Sequence, residues 1–148
     1  VAARLRRAVR SRRSLVLLVF GVLFVLIGFS YLGQAAEITR SPAAALSYKA
    51  HLALMPLDVW SWLFIATGAV GIAGGLTVSH PPGYGALIAI STWWAAEFVL
   101  SWALTGYGRA VLGALVWIAL SAALLIVAGW PDPHEVRIVD LFDWIDRQ

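Results

Sequence analysis

The sequence predicts an all-α membrane protein. The expected architecture is a four-transmembrane-helix bundle with a short extracytoplasmic interfacial helix and a cytoplasmic amphipathic C-terminal helix. Three observations predict it. Of the 148 residues, 61% are hydrophobic and only 13% charged, against about 25% charged in soluble domains. Four apolar runs each come close to the roughly 20 residues that a helix needs to cross a bilayer. The charges gather at the two ends of the chain, basic at the start and acidic at the finish.

Residues 1–13 carry Arg4, Arg6, Arg7, Arg10, Arg12 and Arg13 and no acid. A basic stretch directly before an apolar helix marks the cytoplasmic side and suits anionic lipid head groups. Nucleic acid is not an expected partner. Residues 14–33 form the first expected span; its apolar core is longer than the 7–15 residues of a signal peptide, so it reads as an uncleaved helix. The connection 34–58 is then extracytoplasmic. Ser41-Pro42 is a helix start and Pro56 a stop, because Ser caps a helix and Pro fits its first turn. Ala45, Tyr48, Leu52 and Met55 share one face of the short interfacial helix between them.

Residues 59–78 form the second span. Gly68, Gly71 and Gly75 are its expected packing face, with Gly71 and Gly75 as a GxxxG pair. The run Ser79-His80-Pro81-Pro82-Gly83 reads as a turn of breakers. The third span covers 84–104 and the fourth 110–130, with a short turn between them. Tyr31, Trp60, Trp62, Trp102 and Tyr107 fall at the outer boundary, and Tyr84 and Trp130 at the inner one, as two aromatic belts. Trp93, Trp94 and Trp117 lie at depth. Residues 131–148 form the acidic tail, with five acids against two arginines. Ile138, Leu141, Phe142 and Ile145 follow helical spacing there. Anionic lipid repels such a tail, so its apolar face is expected to dock on protein.

Glu97 is the one ionisable side chain within the four runs. An intramembrane carboxylate is costly and marks a functional-site candidate. Trp93 and Ser101 lie four residues to either side and share its face; counting inward at about 1.5 Å per residue places Thr67 and Trp117 near its depth. With no cation at that level, a neutral acid hydrogen-bonded within the bundle is expected, setting helix register. The sharper reading is a proton or cation relay.

Other chemistry is missing from the pattern. There are no cysteines, and His51, His80 and His134 each stand alone without a second ligand at metal spacing. No nucleophile motif, phosphate-cradling glycine loop or HExxH is present, and one intramembrane carboxylate makes no acid pair. The sequence therefore points away from an enzyme and toward no metal or cofactor. Arginine outnumbers lysine ten to one, a usage typical of GC-rich bacteria, so the expected site is a bacterial cytoplasmic membrane with both termini inside.

The Arg-rich start, the turn Gly106-Tyr107-Gly108-Arg109 and the exit Gly129-Trp130-Pro131-Asp132-Pro133 resemble those of small four-span membrane proteins of actinobacterial phages and prophages. That resemblance implies a holin-like role, with assembly in the membrane and timed permeabilisation. Two other functions fit the residues: an accessory or scaffold subunit of a membrane complex, docking through the tail helix, and a proton or ion conductor using Glu97. A homo-oligomer or a larger complex in the lipid bilayer is expected in the first two cases.

Overall fold

The computed structural model describes residues 11–77 and 80–130. Arg4, Arg6, Arg7 and Arg10, and the tail with His134, Ile138, Leu141, Phe142 and Ile145, lie outside the described residues. Six helices account for nearly all the rest: α1 (Arg12–Arg40), α2 (Pro42–Ser47), α3 (Lys49–Leu54), α4 (Leu57–Leu76), α5 (Pro81–Thr105) and α6 (Gly108–Gly129). Four of them, α1, α4, α5 and α6, are long and apolar enough to cross a membrane. They run up and down as a bundle, and the two short helices lie across one end as a lid.

Several boundaries differ from the sequence reading. The first helix does not stop at Gly33 but continues to Arg40, 29 residues in all. Gly33 has open space around it and is tolerated inside the helix. Ser11 starts this helix by accepting the Ser14 N–H at 3.0 Å, one of the four N–H groups that a helix start leaves over. The expected interfacial helix is two helices broken at Tyr48. Ser41 caps α2 and Pro42 occupies its first turn. The breaker run before the third span is mostly helix: Pro81 and Pro82 form the first turn of α5, where a missing N–H costs nothing. Gly106, at φ 65°, closes α5 in the left-handed conformation that glycine adopts without a Cβ clash.

The closest contact in the bundle joins α1 to α4. Ser14, Gly21 and Gly28 recur every seven residues on α1; Ser61, Gly68 and Gly75 do so on α4. The two rows meet antiparallel. A methyl group added at Gly28 would lie 2.6 Å from the Ser61 carbonyl oxygen, and one at Gly68 would lie 2.5 Å from that of Gly21. One at Gly75 would lie 2.9 Å from that of Ser14. These helices therefore touch backbone to backbone. A seven-residue period keeps such a seam in line along both helices. The GxxxG pair is thus split between two interfaces. Gly75 joins Gly68 against α1, while Gly71 packs near Leu87 of α5 and Gly21 of α1. Gly74 meets Gly83 of α5.

The core between the helices is aromatic and aliphatic: Leu17, Phe24, Phe64, Leu87, Trp94 and Leu124 are fully buried. The α1–α6 seam is wider, and rings span it, Phe24 meeting Trp117 edge to face at 5.8 Å. At the end opposite the lid, polar groups tie the helices together. Arg13 donates to the carbonyls of Ala128 (3.0 Å) and Trp130 at the end of α6, where a cation also opposes the helix dipole. Tyr84 donates to the Arg13 carbonyl at 3.0 Å. The Ser14 hydroxyl pairs with His80 Nε2 at 2.8 Å. Arg12 beside them is exposed.

Gly68→Ala is expected to destabilise the bundle by about 1–3 kcal/mol, the usual cost of overpacking. The added carbon must push the backbone of α1 away. Gly33→Ala, with nothing within 4 Å of the added carbon, should instead stabilise by about 0.5–1 kcal/mol, the usual gain from Ala over Gly inside a helix. Thermal unfolding of both variants in one detergent checks the difference.

Candidate functional site

The lid is held by hydrogen bonds from three bundle helices. The Ala50 N–H of α3 donates to Ser101 Oγ of α5 at 3.0 Å. Trp60 Nε1 of α4 donates to the His51 carbonyl at 3.2 Å. The Tyr31 hydroxyl of α1 pairs with that of Tyr48, between α2 and α3, at 3.3 Å. The first pairs a first-turn N–H that a six-residue helix cannot satisfy within itself; the second adds a donor to a carbonyl that already accepts the Met55 N–H at 3.2 Å.

His51 stands at the centre of this arrangement. It is the side chain that α3 drives into the bundle, and it is 0% exposed. Its ring meets Trp94 at 4.0 Å, Phe98 at 4.7 Å, Tyr48 at 5.4 Å and Trp60 at 6.1 Å between centroids, each contact edge to face. Neither imidazole nitrogen has a hydrogen-bond partner among the described residues. Burial pushes the imidazole down to about 3, because charging it inside the rings forfeits hydration.

Two more buried polar atoms at the same end of the bundle lack partners among the described residues: Trp94 Nε1 and Glu97 Oε2. Trp94, Glu97, Phe98 and Ser101 occupy consecutive turns of α5 and lie at the level of the lid, since Trp94 and Phe98 touch His51 and Ser101 binds Ala50. The end beneath the lid therefore combines a ring-lined site, an uncharged imidazole and a carboxyl group with one free acceptor. Elsewhere the buried serines are satisfied: Ser61, Ser91 and Ser121 each donate to a carbonyl of their own helix at 2.7–2.9 Å.

The residues expected around Glu97 are dispersed. Glu97 itself is 6% exposed. Ser101 is committed to the lid rather than to the acid. Trp93 is 53% exposed and turns outward, since it stands one residue from the inward Trp94. Trp117 packs with Phe24, Phe64 and Trp94 in the aromatic core. Thr67 is half-buried on α4, with no hydrogen bond to the acid. The belts are also redrawn. Trp60, 2% exposed, and Tyr31 belong to the aromatic core, while Trp62, Trp102 and Trp130 remain exposed. Tyr84 is buried against Arg13.

Sequence reasoning missed His51, Trp94 and Trp60 as parts of one site. A lone histidine on a short helix carried no ligand pattern. Its surroundings come from α4 and α5, which are remote in the chain. Among the described residues, no group of three His, Cys, Asp or Glu could hold a metal ion. Comparison with protein-family models, with curated proteins and with solved structures gives no match to the chain.

Replacing Glu97 by Met, which keeps the side-chain length but removes the unpaired Oε2, should raise stability by about 1–3 kcal/mol, the cost of an unsatisfied buried polar group. The check is denaturation in mixed micelles, with Glu97→Gln as the polar comparison. A large loss of stability for Met would mean that the carboxyl holds the bundle together.

Proposed function

We propose that the protein is a non-enzymatic integral membrane protein that works by assembly, as a homo-oligomer or as an accessory and scaffold subunit of a larger membrane complex. One observation carries this reading: the bundle is filled from side to side. Rings and aliphatic side chains from all four long helices meet in its centre, so a single copy is a closed body suited to packing against others. The outward faces of the helices present large apolar side chains, including Leu15, Val19, Leu112 and Val116, which suit lipid or a neighbouring membrane helix.

The setting we propose is a bacterial cytoplasmic membrane with both termini inside. The arginine cluster before α1 supports it through the positive-inside bias, and four crossings return the chain to the same side. The lid is then extracytoplasmic. Holin-like permeabilisation rests on the same assembly, since a path for ions would have to open between copies. Conduction through one copy using Glu97 requires a polar route past Phe24, Phe64, Leu87 and Leu124, all fully buried. The scaffold reading is therefore the stronger one.

The full chain should run in mild detergent as a discrete complex larger than one copy. Deleting residues 136–148 should shrink that complex without preventing insertion. Induced expression should leave the membrane potential, followed with a dye, unchanged. A single-copy size for the full chain would overturn the assembly reading. Abrupt depolarisation would transfer the assignment to the holin-like role, and a steady pH-dependent leak to conduction.

A further inference from the structure

We propose that His51 is a proton-operated latch: protonation of its imidazole expels it from the aromatic site and releases the lid, residues 42–54, from the end of the bundle. The geometry that points to this is the combination of full burial, four surrounding rings and two unpartnered ring nitrogens. An imidazolium has two N–H donors; neither ring nitrogen meets a well-placed hydrogen-bond partner among the described residues, and the Trp94 backbone is the one acceptor that favours the charged ring. Released into water, both are satisfied. The lid is short, and its side chains and backbone reach the bundle helices through only a few hydrogen bonds: Ala50 to Ser101, Trp60 to His51 and Tyr31 to Tyr48. Two of these lie on or beside His51, so withdrawal of the ring breaks the lid's attachment with it.

The charged and titratable groups near the latch do not hold an imidazolium in place. On the lid itself, Tyr48 packs against the ring and Lys49 is exposed. From α1 comes Tyr31, engaged with Tyr48. From α4 the facing group is Trp60, with Asp58 exposed at the helix start. From α5 comes Glu97, the only carboxyl on the turns that carry Trp94 and Phe98. On α6, Arg109 is exposed. The four rings offer cation–π attraction, worth about 0.5–2 kcal/mol. That is small beside the several kcal/mol needed to desolvate an ion.

The sign follows from linkage. The ordinary imidazole takes its proton near 6.5, and the buried one only near 3. The open state therefore binds more protons between those values, and the closed state loses ground as pH falls from 6.5 toward 3. Between about pH 7.5 and about pH 4.5 the open-to-closed ratio should rise by up to about a hundredfold.

The chain has no cysteine, so single thiols report cleanly. Ala50 is buried on the inner face of the lid and Ala53 exposed on its outer face. The experiment uses the full chain in lipid nanodiscs, carrying either Ala50→Cys or Ala53→Cys, labelled with a water-soluble maleimide across that pH range. The Ala53→Cys rate serves as the reference for thiol ionisation. The expected result is that labelling at Ala50→Cys, relative to Ala53→Cys, rises about tenfold or more as pH falls. The rise should disappear in His51→Gln and persist in Glu97→Gln. A flat ratio in the parent overturns the latch, as does an equal rise in the His51 variant or its loss in Glu97→Gln alone. Should His51→Gln itself loosen the lid at neutral pH, carbon-13 histidine resonances of the parent decide. His51 must become charged together with the rise in labelling; a ring that stays neutral through the opening, or charges while the lid stays closed, also overturns the proposal.

Discussion

Two carbonyl oxygens facing glycine Cα atoms, Gly68 toward Gly21 and Ser61 toward Gly28, mark the contact on which the bundle is built. In lipid there is little hydrophobic drive to bring two helices together, so association depends on how closely their surfaces fit. Removing side chains from a seam lets two backbones touch along several turns. Because α1 and α4 are joined this way, α4 is rotated to place Gly71 and Gly74 against α5. The remaining space, on the α1–α6 side, is left wide. Phe24, Phe64, Trp94 and Trp117 fill it.

The same contact positions the lid. Helix α1 continues past the last glycine of the seam to Arg40, carrying the chain beyond the start of α4. The return to Leu57 must then cross the bundle end, and two six-residue helices make the crossing. Short helices leave many of their own N–H and C=O groups unpaired. Ser101 takes up one of these groups, the Ala50 N–H, and Trp60 adds a second bond to the His51 carbonyl. Burying His51 is the unfavourable part of this docking, since its nitrogens meet no well-placed hydrogen-bond partner among the described residues. The unpaired atoms of His51, Trp94 and Glu97 lie together at this end, whereas the serines deeper in the bundle bond to their own helices. Among the described residues, four of the five buried side-chain atoms without a partner lie at this one level, the fifth being Arg13 Nε at the other end.

Four helices of spanning length and an all-helical class could be read from the sequence, because bilayer thickness dictates helix length and breakers interrupt apolar runs, although the first helix runs on to Arg40 and the Pro81-Pro82 breakers open a helix instead of a turn. The intramembrane acid was equally visible, since composition alone shows that Glu97 stands in an apolar run. Its surroundings were not visible. Depth can be counted along a helix, but rotation about the helix axis cannot. Trp93 and Trp94 are adjacent in the chain, yet the first faces outward and the second is fully buried. Tyr31 and Trp60 have the depth of an aromatic belt and the rotation of a core. The seven-residue rows on α1 and α4 were present in the chain as well. Only the pairing of the two helices separated them from the GxxxG pattern that overlaps them. His51 was the least legible residue of all: its environment is made by Trp60, Trp94 and Phe98, and a six-residue helix brings them together only by packing. What the chain alone determined is how many helices are long and apolar enough to cross a membrane, which is a property of local composition. Which side chains meet was decided by tertiary structure, because that depends on the relative rotation of helices far apart in sequence.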